Sequence, residues 1–230
     1  MKKILLFAIL LAPFEIFSQD DIQPNESFKA VSGEKTLELQ FVPFGDNPID
    51  INGIRARWFK ENGKVFRLNL FLGIQSDTNI TQQEDSDLDL EELRDKDFSL
   101  TIGVKPGMEK HLKGTERLSP YFGWEGDLTY RTTSFKSEAQ NGTDVNYTKF
   151  INQDGFIRLG FNAIAGLDVY ITKKLYLGTE FGLGASWTKL LNTKVKSDLD
   201  GFEEPEPEKR GSSLDFGPNV NAQIRLGYAF

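Results

Sequence analysis

The chain contains no cysteine. That removes disulfides, thiolate nucleophiles and thiolate-bound metals, and with them a lipid anchor, which needs a cysteine behind the leader. Histidine is nearly as scarce: His111 is alone in 230 residues. There is no surplus of basic charge either. Lysine and arginine number 27 against 34 aspartates and glutamates, a net charge of −7. An acidic chain without a basic face is a poor partner for nucleic acid, so none is expected.

A helix long enough to cross a bilayer is missing too. The apolar stretch Ile4–Phe14 is interrupted at Pro13 and falls short of the about 20 residues that a spanning helix takes. It follows Lys2 and Lys3 and precedes the more polar Glu15-Ile16-Phe17-Ser18-Gln19, which together make the three parts of a secretory leader. Ile16 and Ser18 fall at the positions read by signal peptidase, which puts the expected cut after Ser18. The chain then divides into a signal peptide at 1–18, a periplasmic N-terminal segment at 19–34 and one domain at 35–230. An exported chain with neither helix nor lipid to hold it is either soluble or inserted as a barrel.

What is present is alternation. From Lys35 onward apolar residues alternate with polar or small ones, the period-2 pattern of strands with two unlike faces. Eight segments carry it: Lys35–Phe44, Asn52–Lys60, Val65–Ile74, Phe98–Pro106, Leu118–Tyr130, Phe156–Tyr170, Leu175–Thr188 and Leu214–Phe230. No amphipathic helix competes. Two of the connections are tight, Glu61-Asn62-Gly63-Lys64 and Ile171-Thr172-Lys173-Lys174, and Asn-Gly is the strongest hairpin-turn signal in the chain. A moderate connection, Pro106–Arg117, shares their end. The long ones, Ser76–Asp97, Arg131–Gly155 and Lys189–Ser213, all fall on odd-numbered connections, so an up-and-down meander delivers them to one end. Short periplasmic turns and long external loops are the habit of membrane barrels. The expected fold is all-β, a closed antiparallel up-and-down transmembrane barrel of eight strands with both chain ends periplasmic.

Alternation alone does not say which face is outside; the polar faces do. They carry Glu38, Arg55, Arg57, Arg67, Lys105, Glu125, Asp127, Arg158, Asp168, Glu180, Asp215 and Arg225, six acids and six bases. An enclosed lumen needs that balance, because an unpaired buried charge is costly; a wetted exterior does not. Glycines on the same faces leave room for long arginine side chains. The expectation is a salt-bridged plug, with Arg55, Arg57, Arg67, Arg158 and Arg225 threaded among Glu38, Glu125, Asp127, Asp168 and Glu180. Phe44, Trp58, Trp124, Tyr170, Trp187 and Tyr228, at strand ends, suit the two aromatic girdles of a bilayer-spanning barrel.

The last strand, Val220-Asn221-Ala222-Gln223-Ile224-Arg225-Leu226-Gly227-Tyr228-Ala229-Phe230, resembles the closing strand by which outer-membrane barrels are recognised during assembly. With Leu118-Ser119-Pro120-Tyr121-Phe122-Gly123 and Tyr170–Glu180 it is similar to the small outer-membrane β-barrel family of Gram-negative bacteria, built like OmpX and the OmpA membrane domain. The resemblance covers Lys35–Phe230. It implies a cell outer-membrane location and an assembly signal in Tyr228 and Phe230. It implies contact with outer-membrane lipid, lipopolysaccharide and the barrel assembly machinery, and room for a larger outer-membrane complex as partner. Barrel enzymes of this size (lipid A deacylase, palmitoyltransferase, omptin-type proteases) use a histidine at the extracellular end, whereas His111 lies in a periplasmic connection, where chance occupancy of a turn accounts for it. No catalytic residue, cofactor or metal is therefore expected. Asp85, Asp87 and Asp89 match the first ligand spacing of an EF-hand, but Leu90 and Lys96 break the pattern where glycine and glutamate belong. The expected role is non-enzymatic, exerted through the external loops or as an accessory subunit. A narrow, porin-like channel for small solutes is the alternative, and a carboxylate enzyme using Glu125, Asp127 and Glu180 the third reading.

Overall fold

The computed structural model describes residues 27–41, 51–84, 90–141, 144–219 and 224–230. The leader and its cleavage site, Phe44 and the acidic run at 85–89 lie outside them. Among the described residues eleven strands follow in chain order: β1 (Lys35–Phe41), β2 (Ile51–Phe59), β3 (Lys64–Glu84), β4 (Leu90–His111), β5 (Leu118–Asn141), β6 (Asp144–Ile151), β7 (Phe156–Tyr170), β8 (Leu175–Leu190), β9 (Lys194–Ser197), β10 (Ser212–Asn219) and β11 (Ile224–Ala229). Between β2 and β3, Asn62 and Gly63 both take left-handed backbone, φ 59° and 66°, as an Asn-Gly turn requires. Glycine has a second reason to be there, since a Cβ at position 63 would sit 2.8 Å from the His111 carbonyl oxygen.

All pairings are antiparallel, and the order β1, β2, β3, β4, β5, β7, β8, β11 returns to β1. β10 and β11 lie along the same edge of β8, Asn219 against Gly182 and Arg225 against Gly178, so they occupy one position in the ring. The ring has eight members and is closed. Closure follows from the chemistry of strands: a membrane offers no partner for an open edge.

Burial alternates with the sequence pattern. Thr36, Glu38, Gln40, Arg55, Arg57 and Arg67 are buried while Leu37, Ile54, Phe66 and Leu70 are exposed. The polar face is thus the interior and the apolar face the outside. The closely spaced runs of exposed apolar residues extend from Phe66 to Ile74 on β3, with Ile80 standing apart beyond them, from Phe98 to Met108 on β4 and from Leu177 to Trp187 on β8. Those stretches of about 9–11 residues are what a tilted strand needs to cross a bilayer. Trp124, Trp187 and Tyr228 face outward as the girdle reading expected, and Trp58 packs on Phe66 at 5.4 Å. Tyr170 does not belong to the girdle. It is 1% exposed, turned inward, and its hydroxyl accepts from the Ala30 N–H.

Three other sequence expectations are corrected. Two of the three segments read as long loops, Ser76–Asp97 and Arg131–Gly155, are largely strand among the described residues. β3 and β4 pair continuously from Lys64–Lys110 to Glu84–Leu90, β5 turns into β6 through Asn141–Asp144, and β6 in turn carries β9. Strands β3, β4, β5, β6 and β9 therefore continue as one sheet beyond the apolar belt, β3 by roughly 30 Å at about 3.3 Å per residue. Hairpin pairing satisfies backbone groups that a loop would leave to water. Within that sheet the Lys136 ammonium donates to Glu138 at 2.8 Å and holds that carboxyl below the usual range.

The second correction concerns β4, which passes through Pro106 and reaches His111. Proline brings no N–H to the ladder, and pairing to β5 is interrupted around it, resuming in the same register from Val104–Leu128 to Gly107–Glu125. The third is that His111 is a strand residue with an inward ring and not a chance occupant of a turn.

The connection between β9 and β10 is the irregular part of this end, joined at Thr193–Glu208, with Lys209 exposed. Cleavage of a paired strand needs local opening. Trypsin should therefore cut the folded protein after Lys209 before it cuts at Arg94, Lys96 or Lys136, as the masses of the first fragments would report. A first cut at Arg94 or Lys136 would mean that the hairpins are open.

Candidate functional site in the barrel interior

Where a soluble barrel would hold an apolar core, this one holds ions. Arg57 on β2 reaches Glu38 on β1 at 2.6 Å, Asp168 on β7 at 2.8 Å and Glu109 on β4 at 3.0 Å. Arg67 on β3 reaches Glu180 on β8 at 2.6 Å and Glu109 at 2.9 Å, and also pairs with Glu125 on β5. Arg225 on β11 bridges Glu38 and Asp168, both at 3.2 Å, and Arg55 lies 3.3 Å from Glu180. Every strand of the ring sends at least one charged group into this cluster. β2 lies opposite β7 in the ring and β3 opposite β8, so Arg57–Asp168 and Arg67–Glu180 are braces across the lumen.

Space for them is made by small residues on the same face. A Cβ at Gly178 would meet the Arg225 guanidinium at 2.5 Å, and one at Gly107 the Arg67 side chain at 3.0 Å. Arg57, Arg67, Glu38 and Asp168 are fully buried. Burial of that many charges is tolerable only because each carboxylate finds a partner at hydrogen-bonding distance.

Beneath the ions, toward the tight turns, lies an aromatic layer. The Tyr176 hydroxyl donates to Glu38 and the Tyr121 hydroxyl to Glu180, each at 2.6 Å. The Arg57 guanidinium lies 5.0 Å from the Tyr176 ring and 5.5 Å from that of Phe59, close enough for cation–π attraction. His111 stacks on Tyr121 at 5.0 Å, with Nε2 3.0 Å from Glu109 and Nδ1 2.8 Å from the Ser119 hydroxyl. The chain before β1 crosses this end. Lys29 donates to the Lys113 carbonyl, Glu34 pairs with Lys174, and Phe28 lies 4.3 Å from the Arg117 guanidinium.

Of the twelve lumen residues named from the sequence, Glu38, Arg55, Arg57, Arg67, Glu125, Asp168, Glu180 and Arg225 come together here. The other four do not. Lys105 and Asp127 pair with each other at 3.5 Å higher in the barrel. Arg158 forms no ion pair among the described residues and stays out of the plug expected to contain it; its Nε donates to the Thr188 hydroxyl at 3.3 Å. Asp215 is exposed on β10, hydrogen-bonded to Ser213. Glu109, missed because the strand was ended at Pro106, takes its place in the cluster. Glu125 and Glu180, two of the three carboxylates raised as catalytic candidates, are engaged by Arg67.

A closed ring of eight antiparallel strands, ionic within and apolar without over the height of a bilayer, defines a β-barrel of the outer-membrane kind. No family model and no curated protein matches the chain. Among solved structures it is similar to Acinetobacter baumannii CarO2, with 9% identity over 87% of this chain and 98% of that one and a TM-score of 0.36. A likeness that loose transfers no property of CarO2 to this protein.

Proposed function

We propose that this protein is a non-enzymatic integral outer-membrane barrel, closed to through-flow, that works from its long-hairpin end, as a contact surface or as an accessory subunit of a larger outer-membrane complex. The observation that carries this reading is the pair of braces across the lumen, Arg57–Asp168 and Arg67–Glu180, sealed beneath by tyrosines. An interior occupied by fully buried side chains serves structure better than transport. The tight turns and the stapled segment at 27–34 form the periplasmic end, and the extended sheet faces the medium. Tyr228 and Phe230, exposed on the outer face of the last strand, are the contacts offered during assembly. An eight-stranded meander suits kinship with barrels of the OmpX type.

Purified protein in planar bilayers should show no steady conductance. Stable, ohmic, ion-selective current through the wild type would overturn the closed reading and favour a narrow solute channel.

A further inference from the structure

Above the ionic floor the lumen opens into two adjoining cavities of about 160 and 240 Å³, which share Lys105, Glu125, Asp127, Arg158 and Glu180 in their walls, Glu125 and Glu180 being already engaged by the arginines of the floor. The floor makes no demand on Arg158. Glu38, Glu109, Asp168 and Glu180 each have at least two donors of their own, and Glu125 is met by Arg67. Glu109 has His111 in addition. Among the described residues Arg158 makes a single hydrogen bond, through Nε to Thr188. Neither terminal nitrogen of its guanidinium has an acceptor among the described residues. One row further up, Arg131 forms no ion pair among the described residues, and its Nε is buried without a partner. Lys105 is held only at 3.5 Å by Asp127, which also accepts from Thr129.

A guanidinium that lines cavities of this size, with its fork unoccupied by the described residues, is suited to meet a planar or tetrahedral oxyanion, two parallel N–H donors to two oxygens. The Phe156 ring lies 5.0 Å from the Arg158 guanidinium, within cation–π range. Phe71 adds an apolar wall on the same cavity.

We propose that this blind vestibule binds a small carboxylate- or phosphate-bearing solute, gripped by Arg158 with Lys105 as second cation. Asp127 competes with the solute for Lys105. The inference rests on the lumen geometry and not on which side of the membrane the mouth faces, so it can fail without disturbing the closed-barrel reading.

The test uses the full-length folded protein in a non-ionic detergent at low ionic strength, titrated calorimetrically with inorganic phosphate and, separately, with succinate. Saturable binding of at least one probe is expected, and which one binds separates a phosphate from a dicarboxylate site. Arg158→Gln should weaken it tenfold or more and Arg158→Lys by less. Asp127→Asn should tighten it several-fold, because it frees Lys105; a merely structural aspartate would not do that. Unboiled gel migration confirms that each variant is folded. Absence of saturable binding of both probes to the wild type would overturn the proposal. Equal binding by a folded Arg158→Gln, or looser binding by Asp127→Asn, would overturn it too.

Discussion

Arg67→Met should lower the stability of the folded barrel by about 3–5 kcal/mol, the usual cost of removing one partner from a buried ion pair. Arg67 meets Glu109, Glu125 and Glu180 at once. Its loss strips Glu125 of its only ion pair among the described residues and puts like charges side by side across the lumen. Methionine keeps most of the volume, so the loss is not that of a cavity. Arg131→Met is the control, an arginine of the same lumen with no ion pair among the described residues, and should cost under about 1 kcal/mol, as substitutions away from such networks do. Urea midpoints of protein folded into vesicles check both. Equal, small losses would mean that the carboxylates re-pair with Arg55 and Arg57 and that the brace contributes little.

Leu70→Arg should destabilise the vesicle-inserted barrel by about 2–4 kcal/mol, the range for a cation at the bilayer midplane, whereas Ile80→Arg should cost about 0–1 kcal/mol. The two residues lie on the same strand and the same outer face, and they are about equally exposed, 48% and 55%. Protein packing therefore cannot separate them; only the surroundings can. Leu70 sits in the middle of the apolar belt and Ile80 beyond its edge. Equal costs would show that the belt is not where the lipid is.

The sequence pattern located β7 to the residue, Phe156–Tyr170, because alternation there is unbroken between Gly155 and the Thr-Lys-Lys turn. It stopped β3 ten residues early, since Ser76-Asp77-Thr78-Asn79 is polar on both faces and beyond the lipid belt no face needs to be apolar. Pro106 hid Glu109 by the ordinary rule that proline ends a strand; the ladder tolerates it because only one of its two edges is interrupted. Eight of the lumen charges were legible from parity. Arg158 and Asp215 share that parity, but height along the barrel decides which charges meet, and period-2 alternation carries no height. His111 and the tyrosines below the ions were invisible for a related reason. Their role comes from residues on strands that neighbour them only once the ring is closed.

Among the described residues the ladder between β1 and β11 has six residue pairs, against twenty-one between β3 and β4. It also unites the most distant parts of the domain; Glu38 and Arg225 are 187 residues apart along the chain. Local hairpins form before such distant contacts, because the entropy of closing a long loop comes ahead of any gain from the contact. The sheet is therefore an open, curved ribbon until its two outermost strands meet. Arg225 arrives with the last of them and finds Glu38 on the first strand and Asp168 already in place. The ion pairs of Arg225 thus exist only in the closed ring, so their loss is expected to weaken closure while leaving the local hairpins of the ribbon intact.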